Sequence, residues 1–541
     1  MKQRLMIALC CLVLLLQLLP IVPFAEQAAT AAEIPQELYY CREALKTLDN
    51  SEALLFAYDN IVAGIDVCAP EIIISEGRNR LSLDEFNMVL EATRRDHTEQ
   101  FWMGTSYTPY VNSDETLVSK IVPTYTMTGE ELENAKTAFE QAINLMLARL
   151  TPGMSEYEME KALHDMLAVQ VSYASTDNSH NAYGALVEGK AVCEGYAEAL
   201  QCLLQRVGIQ SVEVFGYGIN PATGVGEPHA WNIVRIDGQY YLTDLTWNDQ
   251  DNQLLYAYFN QTSAIMAEDH EQWRVGRTVS GSELKCEVFE LPVCTATAEN
   301  YFTKENLRIT NYTVESIGKL LKDNGLAVSL FIDSDVQAFE DWYNQNIVDI
   351  ATAAGVSGKF YYGSTQIGRQ IRIYFETCEH EQLTKVNAKA PTCEENGHSA
   401  YYVCQNKDCG KWFSDPNAQS EIVYPNSVVI FATGHDLSVR NTDDEATLVS
   451  RATNCQEKDT YWYICAICNK VSDTYTFTTE AGAHVDENGD GVCDLCADGE
   501  SPFDFEAVLN FIMDNIAYVG GGGGGVILLI VILAIVRKAK E

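Results

Sequence analysis

The sequence predicts an α+β fold: a helix that opens on a cysteine packs on an antiparallel sheet, with a small α/β module and a Cys-rich module appended. Three observations predict it. Tyr196, Leu200, Leu203, Leu204 and Val207 recur at helical spacing. Two strand-like runs, His229–Ile236 and Gln239–Asp244, are separated only by Asp237-Gly238, a two-residue hairpin signal. Nine cysteines crowd between Cys378 and Cys496.

The chain has 541 residues, too many for one core, so several domains are expected. A composition 47% hydrophobic and 10% aromatic is ample for packing them. The formal net charge is −40, from 76 acidic and 36 basic residues. That balance argues against a nucleic-acid partner, because phosphate binding needs a basic face. It fits a solvated, acidic surface.

Both ends carry membrane-related signals. Lys2 and Arg4 precede the apolar run Leu5–Leu19, and the small residues Ala28-Ala29-Thr30-Ala31-Ala32 follow Pro20 and Pro23. That order predicts a signal peptide over 1–31, cleaved near Ala31 or at Ala25. At the other end Ile516–Val536 has no charge and precedes Arg537-Lys538-Ala539-Lys540. This predicts a membrane anchor over 516–541 with a basic cytoplasmic tail. The alternative is a flexible spacer, because Gly520–Gly525 are poor helix formers and leave only a short apolar tail. The expected location is the cell membrane, single-pass, with an extracellular ectodomain.

The remaining divisions are an N-terminal accessory region (32–124), a catalytic domain (125–285), a small α/β domain (290–376), Cys/His-rich repeats (377–499) and a linker (500–515). Residues 32–124 are expected to pack against the catalytic core. Thr128 with Glu131 forms a capping-box pattern ahead of a helix to Leu150. Pro152-Gly153 breaks it, and Ser155 with Glu158 caps the next helix, to about Val171. In the small domain, Val314–Asn324 and Phe339–Ala354 read as helices, and Ala327–Ile332 and Gln370–Phe375 as strands.

The chemistry is predicted at Cys193. It opens the helix stopped by Gly208, where free amides and the macrodipole favour a thiolate. A small buried cysteine is the bland alternative, and mid-helix Cys202 is assigned to it. The hairpin supplies the partners. Ile236 faces Gln239, which carries Trp231 opposite Asp244 and leaves His229 on the same face as a diagonal neighbour. A carboxylate beside a histidine fixes its tautomer; the histidine then takes the thiol proton and later donates one to the leaving group. Cys193, His229 and Asp244 are therefore the candidate catalytic residues, and this chemistry needs no cofactor. The backbone amide of Cys193 is a natural oxyanion donor, with Asn181 or Tyr183 as side-chain candidates. Trp231 and Trp247 either wall the cleft or pack in the core.

The segments Ala191-Val192-Cys193-Glu194-Gly195-Tyr196-Ala197, His229-Ala230-Trp231-Asn232 and Asp244-Leu245-Thr246-Trp247-Asn248-Asp249 resemble the bacterial transglutaminase-like superfamily. Leu163-His164-Asp165, Tyr173, Tyr258-Phe259-Asn260 and Asp269-His270 extend the resemblance over roughly 125–275. It implies a papain-like Cys-His-Asp triad and cysteine acyl-transfer chemistry on amide bonds, by hydrolysis or amine exchange. The expected substrates are proteins or peptides, including cell-wall peptides. Three functions remain open: a cell-surface hydrolase of peptide or isopeptide bonds, a cross-linking transglutaminase, and a non-catalytic adhesin or scaffold.

Downstream, one His followed by three Cys occurs twice: His380, Cys393, Cys404 and Cys409, then His435, Cys455, Cys465 and Cys468. Each set offers the four ligand types of a closed zinc site, with disulfides as the alternative. His484, Cys493 and Cys496 form a truncated third copy. The region resembles the small Cys-rich repeats of Gram-positive surface proteins, and wall contact is one expectation for it. Asp486-Glu487-Asn488-Gly489-Asp490-Gly491 resembles the start of a calcium loop, but Ala497 stands where a ligating Glu belongs, and a polar turn is the alternative.

Overall fold

In the computed structural model the described residues are 34–479, apart from 113–115, 221–222, 251–252, 276–288, 407–408, 424, 438 and 452–457. The expected signal segment, linker, membrane segment, third Cys/His copy and calcium-type loop lie outside them. Among the described residues no helix is long and apolar enough to cross a membrane. The chain divides into two compact units, up to His435 and from Asp436.

The first unit begins with three helices, α1 (Tyr40–Leu45), α2 (Ser51–Asp66) and α3 (Leu83–Asp96). A small antiparallel sheet follows, from β1 (Ile72–Ile73), β2 (Met103–Val111) and β3 (Val118–Tyr125). A capping box starts α3: Ser82 Oγ accepts from the Glu85 amide and the Glu85 carboxylate accepts from the Ser82 amide. The expected box at Thr128 is not formed; helix α4 (Gly129–Leu147) has no side-chain cap bond there. Gly129 holds a φ of +62°, incompatible with the regular first turn that a box requires. At α5 (Glu156–Gln170) the Ser155/Glu158 box is present.

The main sheet of this unit has four antiparallel strands. Short strands β4 (Ser172–Tyr173) and β5 (Lys190–Ala191) lead into helix α6 (Cys193–Arg206). The sheet strands are β6 (Ser211–Ile219), β7 (Gly226–Ile236), β8 (Gln239–Thr243) and, after the small hairpin β9 (Asp249–Gln250) and β10 (Gln253–Leu254), β11 (His270–Arg274). Helix α6 lays Leu200, Leu203 and Leu204 against Val212, Val214, Trp231 and Ile233 of the sheet, all within one buried cluster. The same cluster extends from Cys41 to Cys294, so the N-terminal helices share the core of the catalytic sheet. They sit behind α6: the Gln201 amide donates to the Arg95 carbonyl, and the buried Arg95 pairs with Glu91 and Glu213.

Short helices α7 (Leu245–Asn248), α8 (Ser263–Met266) and α9 (Tyr301–Lys304) lead to the α/β module. It carries helices α10 (Val314–Asp323), α11 (Val336–Gln345) and α12 (Ile347–Ala353) on a sheet ordered β12-β13-β15-β14. Those strands are Arg308–Ile309, Ala327–Ile332, Gln370–Glu376 and Tyr361–Ile367 in that order. The single helix expected over Phe339–Ala354 is two, separated at Asn346. Strand β14 had little sequence signal because its residues are exposed or half-buried throughout.

In the Cys-rich region of the first unit, strands Leu383–Val386, Tyr401–Cys404 and Trp412–Phe413 form one small sheet. The described residues of the second unit hold a three-stranded sheet of Leu448–Ser450, Thr460–Ile464 and Val471–Thr478, with Cys465 and Cys468 in the turn between the last two strands.

Candidate active site

Cys193 is the first residue of α6 and is partly exposed. The close packing that holds it there requires a glycine. A Cβ on Gly195 would collide with the Ser179 carbonyl oxygen and sit 3.0 Å from the Ala191 Cβ. The β7–β8 turn then fixes the partners. Asp237 and Gly238 both hold positive φ, 48° and 78°, as a tight primed turn requires. Pairing runs from Ile236↔Gln239 to Asn232↔Thr243. One residue further, the chain turns into α7, and Asp244 becomes its N-cap: Asp244 Oδ1 accepts from the Trp247 amide at 3.1 Å.

The other oxygen, Asp244 Oδ2, accepts from His229 Nε2 at 2.8 Å. Asp244 and His229 are both buried. The Nε2 contact leaves His229 Nδ1 for the Cys193 thiol, with which the ring also interacts. Burial works against charge on this ring, but the Asp244 carboxylate beside it and then the Cys193 sulfur outweigh burial and hold its pKa up at about 10. Burial likewise opposes the Asp244 charge, yet His229 and His270 keep that carboxyl well below the usual range.

Of the two tryptophans, Trp231 is a core residue, edge-on to His270 at 4.7 Å between centroids. Trp247 is the one on the catalytic ring, stacked on His229 at 5.3 Å. It is admitted by Gly218 of β6, where a Cβ would lie 2.6 Å from the Trp247 ring. The two side-chain oxyanion candidates make other contacts. Asn181 Oδ1 accepts from the Gly184 amide, and Tyr183 packs on Phe101 and Phe139. Tyr173 lies at Cys193 instead: β4 pairs Tyr173 with Ala191, and its hydroxyl is close enough to the Cys193 backbone amide to interact with it. The phenol stays open to solvent, 64% exposed.

The Cys/His region holds a separate cluster. Cys378, His380, Cys404 and Cys409 bring their ligand atoms within 4.8 Å of one another. This amends the sequence grouping, because Cys378 takes the place given to Cys393. Cys378 has no counterpart in the second repeat, where Thr433 stands two before His435. Cys393 is buried away from this cluster. Within it, Cys378 Sγ and Cys404 Sγ lie 3.7 Å apart and Cys409 Sγ is 3.4 Å from His380 Nδ1. Sulfurs bound to one tetrahedral zinc at about 2.3 Å lie about 3.8 Å from each other, so the donor set fits. His380 Nε2 is 3.2 Å from Glu376, the outer carboxylate that orients a ligating imidazole. This cluster can bind a metal ion. Of the second predicted set, His435 lies in the first unit, Cys465 and Cys468 in the second, and Cys455 outside the described residues.

Residues 146–245 match the family model described as the transglutaminase-like superfamily. Over 96 residues the chain is 35% identical to kyphoscoliosis peptidase of Mus musculus, and 34% to that of Homo sapiens; in both, 15% of this chain and 14% of the relative are covered. The chain thus spans about one seventh of the length of these curated relatives. A solved structure of a TGase is similar over 28% of this chain and 47% of its own, at 16% identity and a TM-score of 0.19. Residues 146–245 thus form a transglutaminase-like domain.

Proposed function

We propose that this protein is a cell-surface cysteine acyl-transfer enzyme that hydrolyses peptide or isopeptide bonds in proteins or cell-wall peptides. The observation that carries the chemistry is the junction at His229, which holds Asp244 on Nε2 at 2.8 Å and interacts with Cys193. The Cys193 thiolate attacks the amide carbonyl carbon. Charge develops on the carbonyl oxygen, which the Cys193 amide and the Tyr173 hydroxyl, once rotated to donate, are placed to meet. His229 Nδ1–H gives its proton to the departing amine as the C–N bond breaks, leaving a thioester on Cys193. Water, deprotonated by His229, then attacks the thioester and releases the acid. Support for the surface location comes from the sequence signals at the two ends.

The test offers the purified ectodomain a glutaminyl or isopeptide substrate with and without a primary amine. Release of free acid in both cases supports the hydrolase reading. Quantitative amine incorporation replaces it with transamidation, and no turnover with a reactive Cys193 rejects both substrate classes.

For the cluster Cys378, His380, Cys404 and Cys409 the reading is a structural zinc site that staples a module with little apolar core.

A further inference from the structure

The reading above uses one of the two histidines on Asp244. The second, His270, opens β11 and is fully buried. Its Nε2 is 3.2 Å from Asp244 Oδ2, the same oxygen that His229 uses, and its Nδ1 is 2.7 Å from Asp269 Oδ1. Both ring nitrogens therefore face carboxylate oxygens. A neutral imidazole has one N–H and cannot donate to both. His164, in the same core, shows the other case. Its Nδ1 meets Asp165 at 3.0 Å, but its Nε2 meets the Asn248 amide nitrogen at 3.1 Å, a donor. That ring needs one proton, and burial pushes its pKa down.

We infer that His270 is a resident imidazolium that shares Asp244 with His229 and so sets how much of the Asp244 charge the catalytic histidine receives. It acts on His229 through Asp244, so it is a positioning residue. The inference rests on the proposed triad. The surroundings of His270 support a held cation. From its own strand come Asp269 and Glu271. From β7 come His229 and Trp231, and from the α7 turn Asp244 and Trp247. From the following loop comes Tyr258, whose hydroxyl donates to the other Asp269 oxygen at 2.6 Å. Burial opposes the charge, but the hydrogen bonds to Asp244 and Asp269 outweigh it and raise the His270 pKa. Register explains how the ring reaches Asp244 from so far along the chain: His270 pairs with Gly218 of β6, and Gly218 has no side chain between the rings.

The consequence is a brake on His229. With His270 charged, Asp244 divides its field between two cations. Without that charge, Asp244 acts on His229 alone, and deprotonation of His229 moves to higher pH by about one unit. The experiment is nitrogen NMR of histidine-labelled full chain, with His270 assigned by its loss in His270→Gln. The expected result is two protonated ring nitrogens on His270 at pH 7.5 and one unprotonated nitrogen on His164. Asp269→Asn, at a partly exposed position, is the second variant: His270 becomes neutral and His229 titrates higher. A neutral His270 in the wild type, or an unmoved His229 in both variants, overturns the inference. If Cys193 is inert while His270 is still doubly protonated, the enzyme reading fails and the charge assignment stands.

Discussion

At the scale of the residue, the site is a set of charges that hold each other in place. His229 is buried yet keeps its proton to about pH 10, because the Asp244 carboxylate and then the Cys193 sulfur favour its charge. An ordinary histidine has lost its charge by pH 8. Turnover that needs the imidazolium as acid is therefore expected to persist through pH 9 and to fall as pH rises through about 10. Asp244→Asn removes the group that raises this pKa and leaves burial, which lowers it. The alkaline limb then moves down by several units, and kcat drops by about a hundredfold or more; a pH profile of kcat/KM reads both. Cys378→Ser is expected to lower bound zinc by one equivalent per chain, measured by metal analysis of the protein as purified. The His229–Asp244 pair was legible in the sequence because its spacing is local: a two-residue turn fixes where Asp244 falls against His229. Tyr173 and His270 were visible only as flanking residues. Their places depend on the pairings β4 with β5 and β11 with β6, which no short-range pattern encodes.

At the scale of the element, glycines of β6 decide whether the aromatic rings can close on the catalytic histidine. Gly218 faces Trp247, and a Cβ there would also lie 3.4 Å from His229 Cδ2. Gly218→Ala is expected to lower kcat by about tenfold or more while leaving the far-ultraviolet circular dichroism unchanged, because a shift of the ring spoils the alignment for proton transfer. The elements themselves were legible where their signals are self-contained. Helix α5 follows its capping box, β13 its largely apolar run and β7–β8 their turn. They were less legible where a single residue intervenes, as Asn346 does between α11 and α12. The metal cluster was misgrouped for a similar reason. A cysteine two residues from its histidine partner breaks the symmetry between the two repeats, and only the fold shows that Cys378 and Cys404 meet.

At the scale of the whole first unit, the N-terminal helices are part of the catalytic core. The buried cluster is continuous from Cys41 to Cys294, and Arg95 from α3 faces Glu91, Glu194, Glu198 and Glu213 behind the nucleophile helix. Burial pushes the Glu198 and Glu213 carboxyls up, and the Arg95 guanidinium counters it. Removing that cation takes the counter-charge away from these buried carboxyls. Arg95→Met is expected to cost about 3–5 kcal/mol in urea unfolding of the ectodomain, and deletion of 34–124 to prevent folding of the catalytic sheet. The central claim remains that Cys193 is a nucleophile activated by His229. It is tested most directly by labelling the purified ectodomain with a thiol-reactive probe across pH, in wild type, His229→Ala and Cys193→Ala. The account predicts fast labelling at neutral pH that is lost in Cys193→Ala and slowed in His229→Ala. Labelling of Cys193 at the rate of an ordinary thiol, unaffected by His229→Ala, would contradict it.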